Sequence, residues 1–296
     1  MTPRDLATYL VLALVWGASF LAVTQVVHGF GWAAAVAFRA FIAAFTLLLL
    51  ARALGRRLDF GFGIRPLVVV GATTVAGQLV LLSYGLPLIG TAMSAILVST
   101  IPLYSMIIAG LWRVEPIKAA GALGGVLGIA GVLLLVGFPA RPVTAEFVLG
   151  SIATLVSALS AAVGSVYAGR NLRTAGAWET TIGAFLVGGV LTLPLIAVVP
   201  IPGLPGAFDF LMLAVTGILM SAMTYVLYFR LIASIGPTRA ISVEFAVTGV
   251  AVLIGTLLLG EPLSPPQIVG AAVIGLGCAL VLGLVRLRRK GPARAS

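Results

Sequence analysis

The 296-residue chain is 61% hydrophobic and 9% charged, and its mean hydropathy is +1.20. A soluble globular domain carries about 25% charged residues, so the composition excludes that class. The net charge of +10 lies in short loops and at the C-terminus, which argues against a nucleic-acid-binding protein.

Apolar segments follow one another along almost the whole chain. A helix of about 20 residues spans the roughly 30 Å hydrocarbon layer, and these segments lack the apolar-polar alternation of barrel strands. The first segment is too long for a cleaved signal peptide. The sequence predicts an all-α polytopic membrane protein with ten transmembrane helices, at 6–27, 32–53, 64–84, 90–112, 117–138, 147–169, 177–199, 208–234, 237–260 and 265–286.

Basic residues are distributed unevenly between the two sides of this bundle. If the N-terminus is cytoplasmic, the loop and tail cations all fall on the cytoplasmic side except Arg141. Cytoplasmic loops are enriched in lysine and arginine. The pattern therefore predicts that both termini are cytoplasmic.

The stretch from 90 to 137 recurs at 236 to 283, shifted by 146 positions without a gap. Among the matching residues, the acidic pair is the most informative, because the chain has only 8 acidic residues. With five spans per half, the two copies face opposite sides of the membrane. We expect two inverted five-helix repeats, 1–140 and 141–296. The matching pairs are Gly90 with Gly236, Glu115 with Glu261, Pro116 with Pro262, Gly124 with Gly270, Gly131 with Gly277, and Gly137 with Gly283.

Three segments resemble the EamA-type ten-helix exporters of the drug/metabolite transporter superfamily. They are WGASFLAV (residues 16–23), FRAFIAAFTLLL (38–49) and GEPLSPPQIVGAAVIGLGCAL (260–280). The resemblance implies a basket of helices 1 to 4 and 6 to 9 around a central cavity, with helices 5 and 10 outside it. It also implies a bacterial-type inner membrane location and export of amino acids or related metabolites, as in the YddG-type aromatic and neutral amino-acid exporters.

Polar side chains at helical spacing within the spans identify a candidate lining for that cavity. Hydrocarbon offers such groups no partner, so we expect them to turn inward. Hydrogen bonding between helices is the alternative for each hydroxyl, whereas the amide of Gln78 is harder to satisfy by packing alone. The candidates from these stripes are Gln78, Ser99, Thr100, Ser160 and Tyr225.

Trp16 lies about ten residues into the first span. A tryptophan of the interfacial belt would lie near the end of a span, so we predict that Trp16 forms a wall of the cavity. An indole wall suits apolar and aromatic ligands. Plain packing is the alternative.

Arg39 and Glu244 are ionisable residues within the predicted spans. Each would cost roughly 2.5 to 3.5 kcal/mol at mid-bilayer, so each needs a reason to be there. Their depths differ by about 10 Å, which argues against a direct salt bridge. Arg39 can reach the interface or cap carbonyl groups. For Glu244 the alternatives are pairing with Arg239 or Arg230, attraction of a substrate ammonium, and carriage of a coupling proton.

Glycines occur at helical spacing in spans 5 and 10, where they predict close helix packing rather than ligand binding. We find no nucleotide-binding loop, no metal-ligand cluster and no paired nucleophile and base, so we expect no cofactor, no metal and no enzymatic activity. Cys278 is the lone cysteine, which excludes an internal disulfide. In span 5 the glycines are Gly121, Gly124, Gly125, Gly128 and Gly131, and in span 10 the small residues are Ala271, Gly275, Ala279 and Gly283.

These observations favour a secondary transporter that exports amino acids by alternating access. Its partners would be a small-molecule substrate and membrane lipid, with no requirement for an oligomer. A proton-coupled drug exporter and a nucleotide-sugar or sugar-phosphate exchanger are the alternatives within the superfamily. An intramembrane enzyme or a packing scaffold is the alternative outside it.

Overall fold

The computed structural model describes residues 2–113, 119–137 and 142–281, and every regular element in these residues is a helix. Six of the helices, α1, α2, α3, α5, α6 and α7, are long and apolar enough to cross a membrane. The predicted all-α polytopic fold is confirmed, whereas the count of ten spans stays a prediction. The helices are α1 Pro3–Ala53, α2 Ile64–Ile89, α3 Thr91–Leu111, α4 Ala119–Gly137, α5 Ala145–Asn171, α6 Ala177–Ile196, α7 Ala207–Ile235, α8 Pro237–Ile241, α9 Val243–Leu258 and α10 Pro265–Val281.

The first helix, α1, has 51 residues and is broken at Gly31, whose φ of 73° and ψ of 158° are not helical. A straight helix of this length would extend about 76 Å, more than twice the hydrocarbon thickness. Glycine adopts a positive φ without the Cβ clash of other residues. The break therefore divides α1 into a first arm (residues 3–30) and a second arm (residues 32–53).

Eight helical segments form a ring around the centre of the molecule. Going round, the first arm of α1 packs on α9, then come α3, α5, α2, α6, the second arm of α1 and α7, which returns to the first arm. Small residues permit the close approaches. For example, Gly17 of α1 faces Val250 of α9, and Gly85 of α2 faces Thr154 of α5.

Helices α4 and α10 pack on each other beside the ring, against α3. A Cβ atom on Gly131 would lie 2.7 Å from the carbonyl oxygen of Gly270, and one on Gly277 would lie 2.6 Å from that of Gly124. From the first contact to the second, the residue number falls from 131 to 124 in α4 and rises from 270 to 277 in α10. Helices α4 and α10 therefore run antiparallel. Adding 146 to Gly131 and Gly124 gives Gly277 and Gly270, so the two contacts exchange with each other under the repeat.

The face of α10 that packs differs from the predicted one. Gly275, on the predicted face, has nothing within 4 Å of an added Cβ atom. The contact lies instead on the neighbouring face with Ile274, which is fully buried. The glycines of α4 do pack closely, as predicted. For example, the side chain of Leu103 of α3 occupies the space beside Gly128.

Three helices contain a wider π turn. The turns cover Gly71–Gly77 in α2, Ile218–Met223 in α7 and Ile254–Leu258 in α9. Such turns add a residue to the helical repeat and often occur at functional sites. The turns of α2 and α7 flank the centre of the ring, next to the residues described below.

Candidate functional site

A cavity lies at the centre of the ring. Its volume is about 60 Å³, and a buried water needs roughly 10–15 Å³ of such space. The cavity therefore has room for a few water molecules, and the helices must separate to admit a larger solute. Its lining residues are Trp16, Ser19, Phe20, Val23, Arg39, Gln78, Leu79, Leu82, Ser83, Leu86, Val98, Tyr225, Glu244 and Val247.

Arg39, on the second arm of α1, brings the positive charge to this cavity. Its side chain is 7% exposed, and its Nε donates to the hydroxyl oxygen of Ser221 over 2.5 Å. The hydroxyl of Ser221 in turn donates to the carbonyl oxygen of Thr216 over 2.8 Å. The wider turn of α7 holds Ser221 in this position, five residues beyond the carbonyl that it binds. Within the described residues Arg39 makes no ion pair, so its terminal nitrogens keep donors for a ligand.

Glu244, in the first turn of α9, brings the negative charge. Its side chain is 7% exposed and lines the cavity, and its carboxylate has no hydrogen bond or ion pair with a described residue. Of the two partners predicted for it, Arg230 makes no ion pair with it, and the side chain of Arg239 lies outside the described residues. A buried carboxylate without a partner is costly. Within the described residues the site therefore holds a carboxylate without an ion pair, on a different segment of the ring from Arg39.

An aromatic layer stands beside Glu244. The indole of Trp16 contacts Tyr225 and Tyr228, with ring centroids 5.3 Å and 5.1 Å away. The indole N–H donates to the hydroxyl oxygen of Thr224 over 2.9 Å. Trp16 is thus part of the cavity wall and is held in one orientation.

Gln78 enters the cavity at the point where the wider turn of α2 ends. Its backbone carbonyl accepts a hydrogen bond from the Ser157 hydroxyl over 2.8 Å. Gln78 lines the cavity, and its side-chain amide makes no hydrogen bond to a described residue. Two donors and one acceptor are therefore available to a ligand or water.

The remaining sequence candidates lie elsewhere. Ser99 and Thr100 donate to the carbonyl oxygens of Ile96 and Leu97, each over 2.6 Å, within their own helix. Ser160 donates to the carbonyl oxygen of Thr73 over 2.9 Å and so joins α5 to α2. None of the three candidate hydroxyls lines the cavity described above, and for them the alternative of helix hydrogen bonding describes the geometry.

Other lining residues were not among the candidates. Ser83 is 2% exposed and lines the cavity, but its hydroxyl has no hydrogen bond to a described residue. It lies one turn beyond Leu79, on the cavity face of α2. Leu79 is apolar and Gln78 is five residues away, so helical spacing from the polar candidate gave no signal for Ser83. The apolar wall of Phe20, Val23 and Leu82 carried no signal, because apolar residues fill every span.

A second, smaller cavity adjoins the first and has a volume of about 10 Å³. It shares Trp16, Gln78, Tyr225 and Glu244 with the larger one. In the part of the chain that the structure describes, no group of three histidine, cysteine or acidic residues is placed to hold a metal. The site thus consists of two opposite charges, one free amide, an aromatic layer and an apolar wall.

Comparison with known proteins connects this architecture to a family. The profile of the EamA-like transporter family matches residues 6–137 and again residues 148–283. Protein PecM of Dickeya dadantii is 27% identical over 283 residues, which cover 93% of this chain and 90% of that protein. A probable terminal-alkyne amino-acid exporter of Streptantibioticus cattleyicolor is 27% identical over 294 residues, with coverage of 96% and 94%.

Two further proteins are similar to this chain, one in sequence and one in fold. The uncharacterized inner membrane transporter YedA of Escherichia coli is 29% identical over 195 residues, or 64% of this chain and 61% of that protein. A protein of known crystal structure superposes with a TM-score of 0.69 at 19% identity, over 96% of this chain and 98% of the other. Because the family profile covers nearly the whole chain in two matches, this protein is a transporter that belongs to the EamA-like transporter family.

Proposed function

We propose that this transporter exports amino acids, chiefly aromatic and neutral ones, or related small metabolites through the central cavity. One observation carries the proposal: Arg39 and Glu244 both line the cavity, and no ion pair joins them. A zwitterion supplies a carboxylate for the guanidinium and an ammonium for the carboxylate, each as a charge-assisted hydrogen bond.

The rest of the lining supports the same substrate class. The same cavity is lined by apolar side chains, among them Phe20, Val23 and Leu82, and by the indole-bearing Trp16. Such a wall favours an apolar or aromatic side chain. The similarity to a probable terminal-alkyne amino-acid exporter supports this reading.

Transport would proceed by alternating access between two inverted halves, 1–140 and 141–296. The antiparallel contact of α4 with α10, in which residue pairs exchange under the shift of 146, supports this arrangement. The small size of the cavity supports it as well, because the halves must move to admit a substrate. The basic loops favour an inner membrane orientation with both termini in the cytoplasm.

A proton-coupled drug exporter is the second candidate, and it is favoured by the carboxylate of Glu244, which makes no ion pair with a described residue. Phosphate-bearing substrates are disfavoured, because a phosphate site needs several cations and Arg39 is the one cation among the described residues that line the cavity. A drug exporter would transport cationic compounds in exchange for protons, and it would lose that coupling when Glu244 is replaced by glutamine.

Flux in liposomes tests the proposal. The purified protein is expected to transport labelled neutral amino acids. Trp16→Ala removes the indole from the cavity wall, and a lost aromatic contact with the substrate is worth about 0.5–1.5 kcal/mol, so we expect the rate at low substrate to fall about twofold to tenfold. Gln78→Ala removes one hydrogen-bonding group and is expected to lower it about threefold.

Leu14→Ala is the matched control, because Leu14 lies on the same arm as Trp16 and is 61% exposed. It is expected to transport like the parent protein. An imposed pH gradient, applied to the parent and to Glu244→Gln, separates proton coupling from facilitated diffusion. The proposal fails if no amino acid is transported, or if both cavity variants transport as the parent does.

A further inference from the structure

Two adjoining cavities share four lining side chains. Trp16, Gln78, Tyr225 and Glu244 line both cavities. The smaller cavity is completed by residues that do not reach the larger one, including Ser165 and Tyr228, whose hydroxyl oxygens lie 2.9 Å apart. The four shared side chains, called the shared layer below, thus border both a larger cavity and a smaller polar one.

The indole of Trp16 is the largest side chain of this layer, and three interactions fix its orientation. Tyr225 and Tyr228 pack against it at interplanar angles of 55° and 59°. The third interaction is the hydrogen bond of 2.9 Å from the indole N–H to the hydroxyl oxygen of Thr224. A tilted aromatic ring held at its N–H cannot swing aside without loss of that bond.

Thr224 accepts this bond because its own proton is already used. Its hydroxyl donates to the carbonyl oxygen of Met220 over 2.8 Å, which leaves the oxygen as an acceptor facing the indole. Thr224 is 1% exposed and lines neither cavity. It acts on the cavities through Trp16 and is therefore a positioning residue.

We infer that Thr224 sets the largest side chain that the transporter accepts, because it holds Trp16 as the partition between the two cavities. With the indole in place, a substrate side chain ends at the aromatic layer. With the indole released, the smaller cavity joins the larger one, and a longer side chain reaches Ser165 and Tyr228. This inference rests on the proposed transport of amino acids.

The first test compares Thr224→Val with Thr224→Ser in liposomes, with labelled alanine, leucine, phenylalanine and tryptophan. Valine keeps the shape of threonine but removes the acceptor, whereas serine keeps the acceptor. We expect Thr224→Val to raise the transport of tryptophan relative to alanine about tenfold, the scale on which pocket space discriminates side chains. We expect Thr224→Ser to retain the parent ratio, and Ala161→Val, which narrows the smaller cavity, to cancel the gain.

The second test does not depend on transport. Replacing Trp32, Trp112 and Trp178 by phenylalanine leaves Trp16 as the one tryptophan of the chain, which has 4. In that background Thr224→Val is expected to raise acrylamide quenching of Trp16 fluorescence, and Thr224→Ser is not. If Thr224→Val does not fold, Thr224→Ala serves in its place and is expected to act in the same direction.

The outcomes separate the two claims. If the parent protein transports no amino acid but quenching rises in Thr224→Val, the proposed function fails and the partition stands. If quenching is unchanged, or if the tryptophan-to-alanine ratio is unchanged in a protein that does transport both, the inference is overturned. An equal change in Thr224→Ser and Thr224→Val also overturns it, because the lost hydrogen bond would then not be the cause.

Discussion

Helices α2 and α7 have nearly the same backbone. Each contains a π turn, at Gly71–Gly77 and at Ile218–Met223, followed by 12 residues of α-helix. Each ends at a glycine with a φ of 85°, Gly90 in one case and Gly236 in the other. The equivalent helix ends and glycines are 146 positions apart, the same spacing that relates the duplicated sequence.

The side chains on this shared backbone differ. The helix after each turn begins with Gln78 in α2 and with Thr224 in α7. Gln78 lines the cavity, whereas Thr224 binds the indole of Trp16. The turn of α2 receives a hydroxyl from α5, whereas the turn of α7 binds the guanidinium of Arg39 through Ser221.

Two further equivalent pairs both line the cavity. Leu79 corresponds to Tyr225, and Val98 corresponds to Glu244. In each pair the first half contributes an apolar side chain and the second half a polar one. The duplication thus accounts for the scaffold, and the departures from it account for the chemistry of the site.

The largest effect on transport is expected from removing the difference between Val98 and Glu244. Glu244→Val gives the second half the residue that the first half has at the equivalent position, Val98. A charge-assisted hydrogen bond contributes about 1.5–3 kcal/mol, so amino-acid transport at low substrate is expected to fall about 10-fold to 100-fold. Because the buried carboxylate lacks a described partner, its removal is expected to leave the melting temperature unchanged or raise it.

Initial-rate transport and thermal unfolding, measured on the same preparation, check this prediction. Glu244→Gln, which keeps the shape and removes the charge, serves as the matched variant and is expected to lose transport to a similar extent. A simultaneous loss of transport and stability in Glu244→Val would show that Glu244 maintains the fold instead of recognising substrate.

A smaller effect is expected at the helix pair outside the ring. Gly131 and Gly277 are equivalent positions, and a methyl group on either meets a backbone carbonyl at 2.6–2.7 Å. Backbone cannot yield as a flexible side chain does, so Gly131→Ala and Gly277→Ala are each expected to lower stability by about 1–3 kcal/mol. Unfolding in detergent measures the loss, and the ratio of transported amino acids is expected to stay at the parent value.

Gly275→Ala is the control on the same helix, because nothing lies within 4 Å of its added Cβ atom. Equal destabilisation by Gly275→Ala and Gly277→Ala would contradict the assigned packing face. A changed substrate ratio in Gly131→Ala would contradict the separation of this pair from the site.

Much of the fold was predictable from the sequence, because long apolar segments in lipid have few alternatives to helices. The prediction of a transporter of this family, rather than an enzyme, is confirmed by the family matches. The π turns were not predictable. In α2 the carbonyl oxygen of Thr73 accepts the hydroxyl of Ser160, 87 positions away on α5, a contact that the local sequence does not reveal.

The predicted residues that line the cavity are those whose polar groups have no local way of being satisfied. Trp16, Arg39, Gln78, Tyr225 and Glu244 all reach the cavity, although their roles in binding stay predictions. Ser99 and Thr100 have the same composition signal, but a hydroxyl can bind the carbonyl oxygen three or four residues before it in the same helix. Sequence alone does not decide between that bond and a ligand, and in the structure both hydroxyls bind their own helix.

The smallest effect is expected where one half stabilises the other at a helix end. The carboxylate of Glu261 accepts hydrogen bonds from the backbone N–H groups of Thr91 and Ala92, each 2.7 Å long, at the start of α3. The equivalent helix begins with Pro237, which has no N–H group to cap. Glu115, the repeat counterpart of Glu261, lies outside the described residues. The two halves therefore differ in what the start of this helix requires.

Glu261→Ala is expected to lower the free energy of unfolding by about 1–2 kcal/mol. This is the cost of losing a helix cap whose negative charge also interacts favourably with the positive end of the helix dipole. Glu261→Gln keeps one acceptor and is expected to lose about half as much. Glu146→Ala is the control, since this exposed acidic residue also lies in the first turn of a helix, α5, where Thr144 supplies the cap. If Glu146→Ala and Glu261→Ala lower the stability in detergent equally, Glu261 acts through its charge near the end of the helix dipole. The two hydrogen bonds between the halves would then not be the cause.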